Sequence, residues 1–147
     1  MQQALARSPY RLRLDRRAFV GMGSLALIAS LPAHAQSRKP DWAHATVLQV
    51  LMKDYAFDPA EIMLHRGVAY ALRLDNVGKE LHEFTAAEFF KSALVRDRHV
   101  LANGGIEVSL QPGKSAVVFL VPLKAGRYPL TCADHDWLGM TGTIVVH

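Results

Sequence analysis

The chain has 147 residues, 50% of them hydrophobic and 20% charged, which suits one ordinary globular domain and excludes both two large domains and a disordered chain. Its formal charge of +4 is unevenly placed. Residues 1–35 hold five arginines (Arg7, Arg11, Arg13, Arg16, Arg17) and one acid, Asp15, whereas residues 36–147 hold twelve basic and twelve acidic side chains. The body is neutral, so no nucleic-acid patch is implied. A single cysteine, Cys132, excludes an internal disulfide framework.

The basic start leads into an apolar run of 14 residues, Ala18–Leu31, then Pro32 and Ala33-His34-Ala35 before Gln36. That order predicts an export signal over residues 1–35, cleaved at the small-residue site. The run is shorter than the ~20 residues of a bilayer span, so no stable membrane insertion is expected; an uncleaved anchor is the alternative. Asp15-Arg16-Arg17-Ala18-Phe19-Val20 resembles the twin-arginine export signature and predicts a periplasmic protein. An ordinary secretory signal with adjacent arginines is the other reading. In such an oxidising compartment a lone thiol is a liability unless something occupies it, which singles out Cys132.

Residues 36–45 are expected to be a flexible start and residues 46–147 a single domain. Strands are predicted over 46–52, 61–65 and 68–74, the last with Tyr70, Leu72 and Leu74 on one face and Arg73 on the other. Asp58-Pro59, Gly67 and Asn76–Lys79 punctuate them. A fourth strand is predicted over 81–85, then a turn or two of helix around 86–94. Ile106–Leu110, Ser115–Val121, Tyr128–Cys132 and Thr141–His147 complete the strands, with Gln111-Pro112-Gly113-Lys114 as a turn. Seven to eight short strands at this spacing predict an all-β Greek-key sandwich.

The chemistry lies near the C-terminus. Cys132, His135 and Met140 fall at i, i+3 and i+8 in one loop between two predicted strands. Thiolate, imidazole and thioether together favour copper, and two His with one Cys and a weak Met is the pattern for one-electron copper transfer. The second histidine must come from elsewhere, and His82, 50 residues before Cys132 at the start of a predicted strand, is the best candidate. One copper per chain is expected. His44, His65, His99 and His147 have no partners at ligand spacing and read as surface residues. Phe84, Phe89 and Phe90 read as core or as the lid of the 86–105 insertion. Trp137 is left open between packing and an exposed surface.

These features together resemble the cupredoxins, the small blue copper proteins, in particular a periplasmic plastocyanin- and pseudoazurin-like bacterial subgroup. Gly126-Arg127-Tyr128-Pro129-Leu130-Thr131-Cys132 is similar to the family's entry strand. Cys132, His135 and Met140 match its ligand loop, and Gly139-Met140-Thr141-Gly142-Thr143-Ile144-Val145-Val146 its ending. Tyr55–Pro59 with Ile62 and Gly67 resembles its opening, and Asn76 with His82 its first ligand segment. The resemblance implies a metal site of His82, Cys132, His135 and axial Met140. It implies an electron carrier, not an enzyme, whose His135 edge faces transient redox protein partners. A monomer is expected. A periplasmic copper-tolerance or copper-handling protein using the same ligands is the first alternative, and a zinc-binding or metal-free interaction module the second. One departure stands out: Glu83 occupies a position where the family usually carries Asn. Pointing inward, its carboxylate would stabilise Cu(II) and lower the potential; pointing outward, it would be an ordinary strand residue.

Overall fold

Alternating apolar and polar residues become paired strands in the computed structural model, which describes residues 39–147. The export signal expected over 1–35 lies outside the described residues, as do residues 36–38 of the expected flexible start. Numbered in chain order, ten strands make two five-stranded sheets. One sheet runs β2 (Ala56–Asp58), β1 (Thr46–Lys53), β4 (Tyr70–Asn76), β8 (Ser115–Pro122), β6 (Ala93–Val95). The other runs β3 (Glu61–Leu64), β10 (Thr141–Val146), β9 (Gly126–Thr131), β5 (His82–Thr85), β7 (Glu107–Leu110). Every connection from β2 to β9 crosses between the sheets, a connectivity of the Greek-key kind. The all-β sandwich expected from the sequence is therefore present, with the short helix α1 (Ala87–Ser92) inside the expected insertion.

Two strands exceed the expected seven to eight. β2 and β6 have three residues each and sit at opposite edges of the same sheet. Each exists because a neighbour, β1 or β8, supplies a ladder for it; neither has enough residues to alternate visibly in sequence. Within the segment 39–45, Trp42–His44 form one 3-10 turn, and Trp42 meets Phe119 edge-on with ring centroids 6.3 Å apart.

β4 is the central strand of its sheet and is covered on both faces. Tyr70, Leu72 and Leu74 enter the core between the sheets. On the outer face Asp75 accepts hydrogen bonds from Gln49 Nε2 (2.6 Å), Arg73 Nε (2.9 Å) and the Ser115 hydroxyl. These donors, Arg73 foremost, hold the Asp75 carboxyl well below the usual carboxylate range. In the turn after β7, Gly113 takes φ +72°, and Lys114 N–H closes the turn on Gln111 at 3.0 Å, the geometry that a Pro-Gly pair favours.

A chain of aromatic rings clamps the strand that carries His82. Phe57 of β2 meets Phe84 of β5 (5.8 Å), Phe84 meets Phe90 of α1 (6.1 Å), and Phe89 meets Tyr128 of β9 (5.6 Å). Six residues are too few for a self-sufficient helix, so α1 is held by the burial of Phe89 and Phe90. The three phenylalanines are thus core, the first of the two readings the sequence leaves open. Phe84 stands two residues beyond His82 on the same strand face, so this packing also fixes the histidine's direction. No helix among the described residues is long and apolar enough to cross a membrane.

Candidate metal centre

The four residues singled out in the sequence reach one end of the sandwich by two routes. His82 opens β5, directly after the loop 77–81. Asn76 shapes that loop: its side-chain amide donates to Glu80 O and Leu110 O, each at 2.8 Å, and its oxygen accepts from Gly78 N–H. Cys132 follows the last residue of β9, and Met140 precedes the first of β10, so the loop between them joins antiparallel neighbours. Cys132 N–H donates to Met140 O (3.0 Å), His135 N–H to Cys132 O (3.2 Å) and Met140 N–H to His135 O (3.2 Å). These bonds tie the three residues to each other through the main chain before any side chain is considered.

The side chains of His82, Cys132 and His135 converge, with one donor atom from each lying within 4.8 Å of the other two. His82 Nδ1 is 3.8 Å from Cys132 Sγ, and His135 Nδ1 is 3.3 Å from it. The imidazole rings are 5.0 Å apart and steeply inclined, at 70°. His82, Cys132 and Met140 are fully buried, while the His135 side chain keeps 13% of its surface exposed. Two imidazole nitrogens and a sulfur at this spacing fit a transition-metal ion that accepts nitrogen and soft sulfur, copper or zinc among them.

The imidazoles are held from behind. His82 Nε2 donates to Asp54 Oδ1 at 3.0 Å, which leaves its Nδ1 lone pair facing the sulfur. That hydrogen bond, with a second from Lys79 N–H, keeps the Asp54 carboxyl below its usual range. His135 Nε2 lies 2.8 Å from Glu80 Oε2, and the Tyr55 ring covers the His135 ring at 5.1 Å. Tyr55 O–H reaches Glu80 Oε1 at 3.4 Å.

Glu83 points inward. It is 6% exposed, and its Oε2 accepts from Cys132 S–H at 2.9 Å and from Asp134 N–H at 3.4 Å. Its own N–H donates to Cys132 Sγ at 3.4 Å. Burial first, and the Glu83 carboxylate second, push the Cys132 thiol up to about 11. Glu83 is not part of the mutually close donor set of His82, Cys132 and His135.

Asp54 and Glu80 were not singled out in the sequence. Asp54 lies in the β1–β2 turn, 28 residues before His82, and nothing in its spacing announces the contact. Glu80 stands two residues before His82, where it reads as a polar turn residue. His44, His65, His99 and His147 are exposed, as expected. Trp137 is exposed as well, at 76%, and its Nε1 donates to Asp134 O.

Comparison with known proteins agrees with the fold. The auracyanin of the photosynthetic bacterium Roseiflexus castenholzii, solved in its dithionite-reduced state, superposes with a TM-score of 0.53 at 18% identity, covering 70% of this chain and 98% of that one. Auracyanin A of Chloroflexus aurantiacus, described as a "blue" copper protein, gives a TM-score of 0.52 at 16% identity over 70% and 99%. No curated protein matches the chain significantly in sequence. The model of the cupredoxin-like domain family matches residues 21–146, so the chain belongs to that family.

Proposed function

We propose that this chain is a mononuclear copper protein of the bacterial periplasm that carries single electrons between redox partners. The observation that supports this most is the convergence of His82, Cys132 and His135, one donor atom from each lying within 4.8 Å of the other two. In this reading those three would hold the copper, with Met140 as a fourth and weaker ligand, one copper per chain. Copper, when bound, supplies the one-electron Cu(II)/Cu(I) couple. The protein's part is to keep the ligand positions nearly unchanged while the charge changes. β5 and the β9–β10 loop do this from two sides, and the main-chain bonds among Cys132, His135 and Met140 resist relaxation. The proposed set leaves no position for a substrate, so electron carriage, not turnover, is the assigned role.

Export by the twin-arginine route, transient encounters with redox proteins and a monomeric state belong to the same reading, as does the plastocyanin- and pseudoazurin-like subgroup. They rest on the leader's residues, on the smallness of redox encounters and on the ligand-loop spacing. The test is a Cu(II) titration followed by visible and EPR spectra, on the protein and on Cys132→Ser. An intense thiolate-to-copper band at one equivalent, absent in the mutant and bleached reversibly by ascorbate, is expected. A colourless complex indifferent to Cys132 would overturn the reading.

One observation favours a second reading, periplasmic copper handling. The outer edge of His135 is not open: Glu80 and Tyr55 lie against it, and its side chain is 13% exposed. A handling protein would exchange copper with a chelator in minutes and show no fast electron exchange with a redox partner; a carrier would do the reverse.

A further inference from the structure

The three strong-ligand candidates share a feature that the fold does not require. Each has one carboxylate in contact with it, behind the ring for the two imidazoles and against the sulfur for the thiol. Asp54 Oδ1 is 3.0 Å from His82 Nε2, Glu80 Oε2 is 2.8 Å from His135 Nε2, and Glu83 Oε2 is 2.9 Å from Cys132 Sγ. These acids come from three places: the β1–β2 turn, the loop 77–81 and β5. Among the described residues, no lysine or arginine forms an ion pair with any of them. None of the three is spent on a neighbouring cation: Asp54 and Glu80 face imidazole nitrogens, whereas Glu83 accepts from a thiol that gives up its proton to solvent when it binds a metal, after which its charge acts on the centre across a thiolate and without that hydrogen bond.

Gly78 belongs to this arrangement. A Cβ placed there would collide with the Asp54 carboxylate and would lie 2.7 Å from His82 Nε2. The residue must be small for Asp54 to reach His82.

We propose that Asp54, Glu80 and Glu83 act together as positioning residues that bias the centre toward the doubly charged over the singly charged copper ion. The inference rests on the copper reading above. The physical reason is direct: a fixed negative charge attracts a 2+ ion twice as strongly as a 1+ ion at the same distance. Carboxylates bonded to ligand imidazoles also fix which nitrogen faces the metal and make it more basic. Exposure sets the order of effect. Glu83 is 6% exposed, the Asp54 side chain 29% and the Glu80 side chain 51%, so solvent screens Glu83 least and Glu80 most.

The experiment measures Cu(II) and Cu(I) affinities separately, by competition with chelators of known strength. The proteins are the wild type, Asp54→Asn, Glu80→Gln, Glu83→Gln and Gly78→Ala. Thermal unfolding of each metal-free variant verifies that it is folded. Asp54→Asn is expected to weaken Cu(II) binding about tenfold, the low end for losing a partner of a ligand imidazole, and to leave Cu(I) binding within about threefold. Each tenfold change in the ratio raises the potential by about 59 mV. Glu83→Gln exceeds that effect and Glu80→Gln falls short of it. Gly78→Ala keeps the acid but moves it off His82, so it reproduces Asp54→Asn if contact with the imidazole is what matters. Equal losses for both ions would make the acids mere braces and overturn the proposal while leaving the copper reading intact. A wild type that binds no copper through Cys132 would overturn both.

Discussion

Asp75 and Glu83 are both acids with little exposed surface, 7% and 6%, and the molecule treats them in opposite ways. Asp75 is met by a guanidinium, an amide and a hydroxyl, all donors, on the outer face of the central strand. Glu83 is met by a thiol and a main-chain N–H, and by no cation among the described residues. Taking a charge out of water is costly, and a compensating cation with good hydrogen bonds is the ordinary remedy. Asp75 has that remedy, which identifies it as a piece of the scaffold. Glu83 lacks it and lies against the sulfur of the candidate ligand set, which identifies it as a piece of the site. Burial alone does not separate the two roles; the nature of the partners does.

The comparison breaks most readily at Asp75. Asp75→Asn turns a fully bonded carboxylate into an amide that faces three donors, and is expected to cost about 2–3 kcal/mol of stability in urea unfolding. Glu83→Gln should change the stability of the metal-free protein by less than about 1 kcal/mol, because the amide oxygen can still accept from the thiol. A Glu83→Gln loss as large as that of Asp75→Asn would mean that both acids are structural.

Acid sharpens the same contrast. The folded pKa of Asp75 is depressed, chiefly by Arg73, below an unfolded value near 3.9. Its contribution is therefore complete above about pH 4 and is lost as the pH falls from there toward the lower folded value. Unfolding of the metal-free protein, followed from pH 5 down to pH 2, should show a steep loss below about pH 4, and Asp75→Asn should flatten it. Some slope will remain, since hydrogen bonds from His44 and His82 also hold Asp41 and Asp54 low. An unchanged acid limb in the mutant would remove Asp75 from the scaffold's account.

How much of this was legible in the sequence follows the range of each contact. Cys132, His135 and Met140 lie in one loop, so their grouping is written locally. His82 was reached only because the other three ligands call for a second histidine, since the strand pairing that brings β5 beside β9 is not local. The inward direction of Glu83 was not legible, because alternation along β5 predicts one covered face and this strand has two. Phe84 is covered by the core, and Glu83 by the ligand loop through Cys132 and Asp134. Asp54 and Glu80 were illegible because Asp54 reaches His82 from the turn after β1 and Glu80 reaches His135 from the loop 77–81, contacts that the packing of the two sheets decides and no spacing encodes.

Tyr55 gives the smallest expected effect and the finest test of the site's outer wall. Its hydroxyl reaches Glu80 at 3.4 Å, near the limit of a useful hydrogen bond, while its ring lies 5.1 Å from that of His135. Tyr55→Phe keeps the ring and should change Cu(II) affinity by less than about twofold, since hydrogen bonds of that length contribute little. Tyr55→Ala removes the ring, exposes His135 and should speed copper loss to a chelator by more than the Phe variant does. If Phe instead matches Glu80→Gln, the hydroxyl is what holds Glu80 against His135. Tyr55 would then belong with the carboxylates that address the ligands, and the covering of His135 would be a matter of charge placement and not of an aromatic shield.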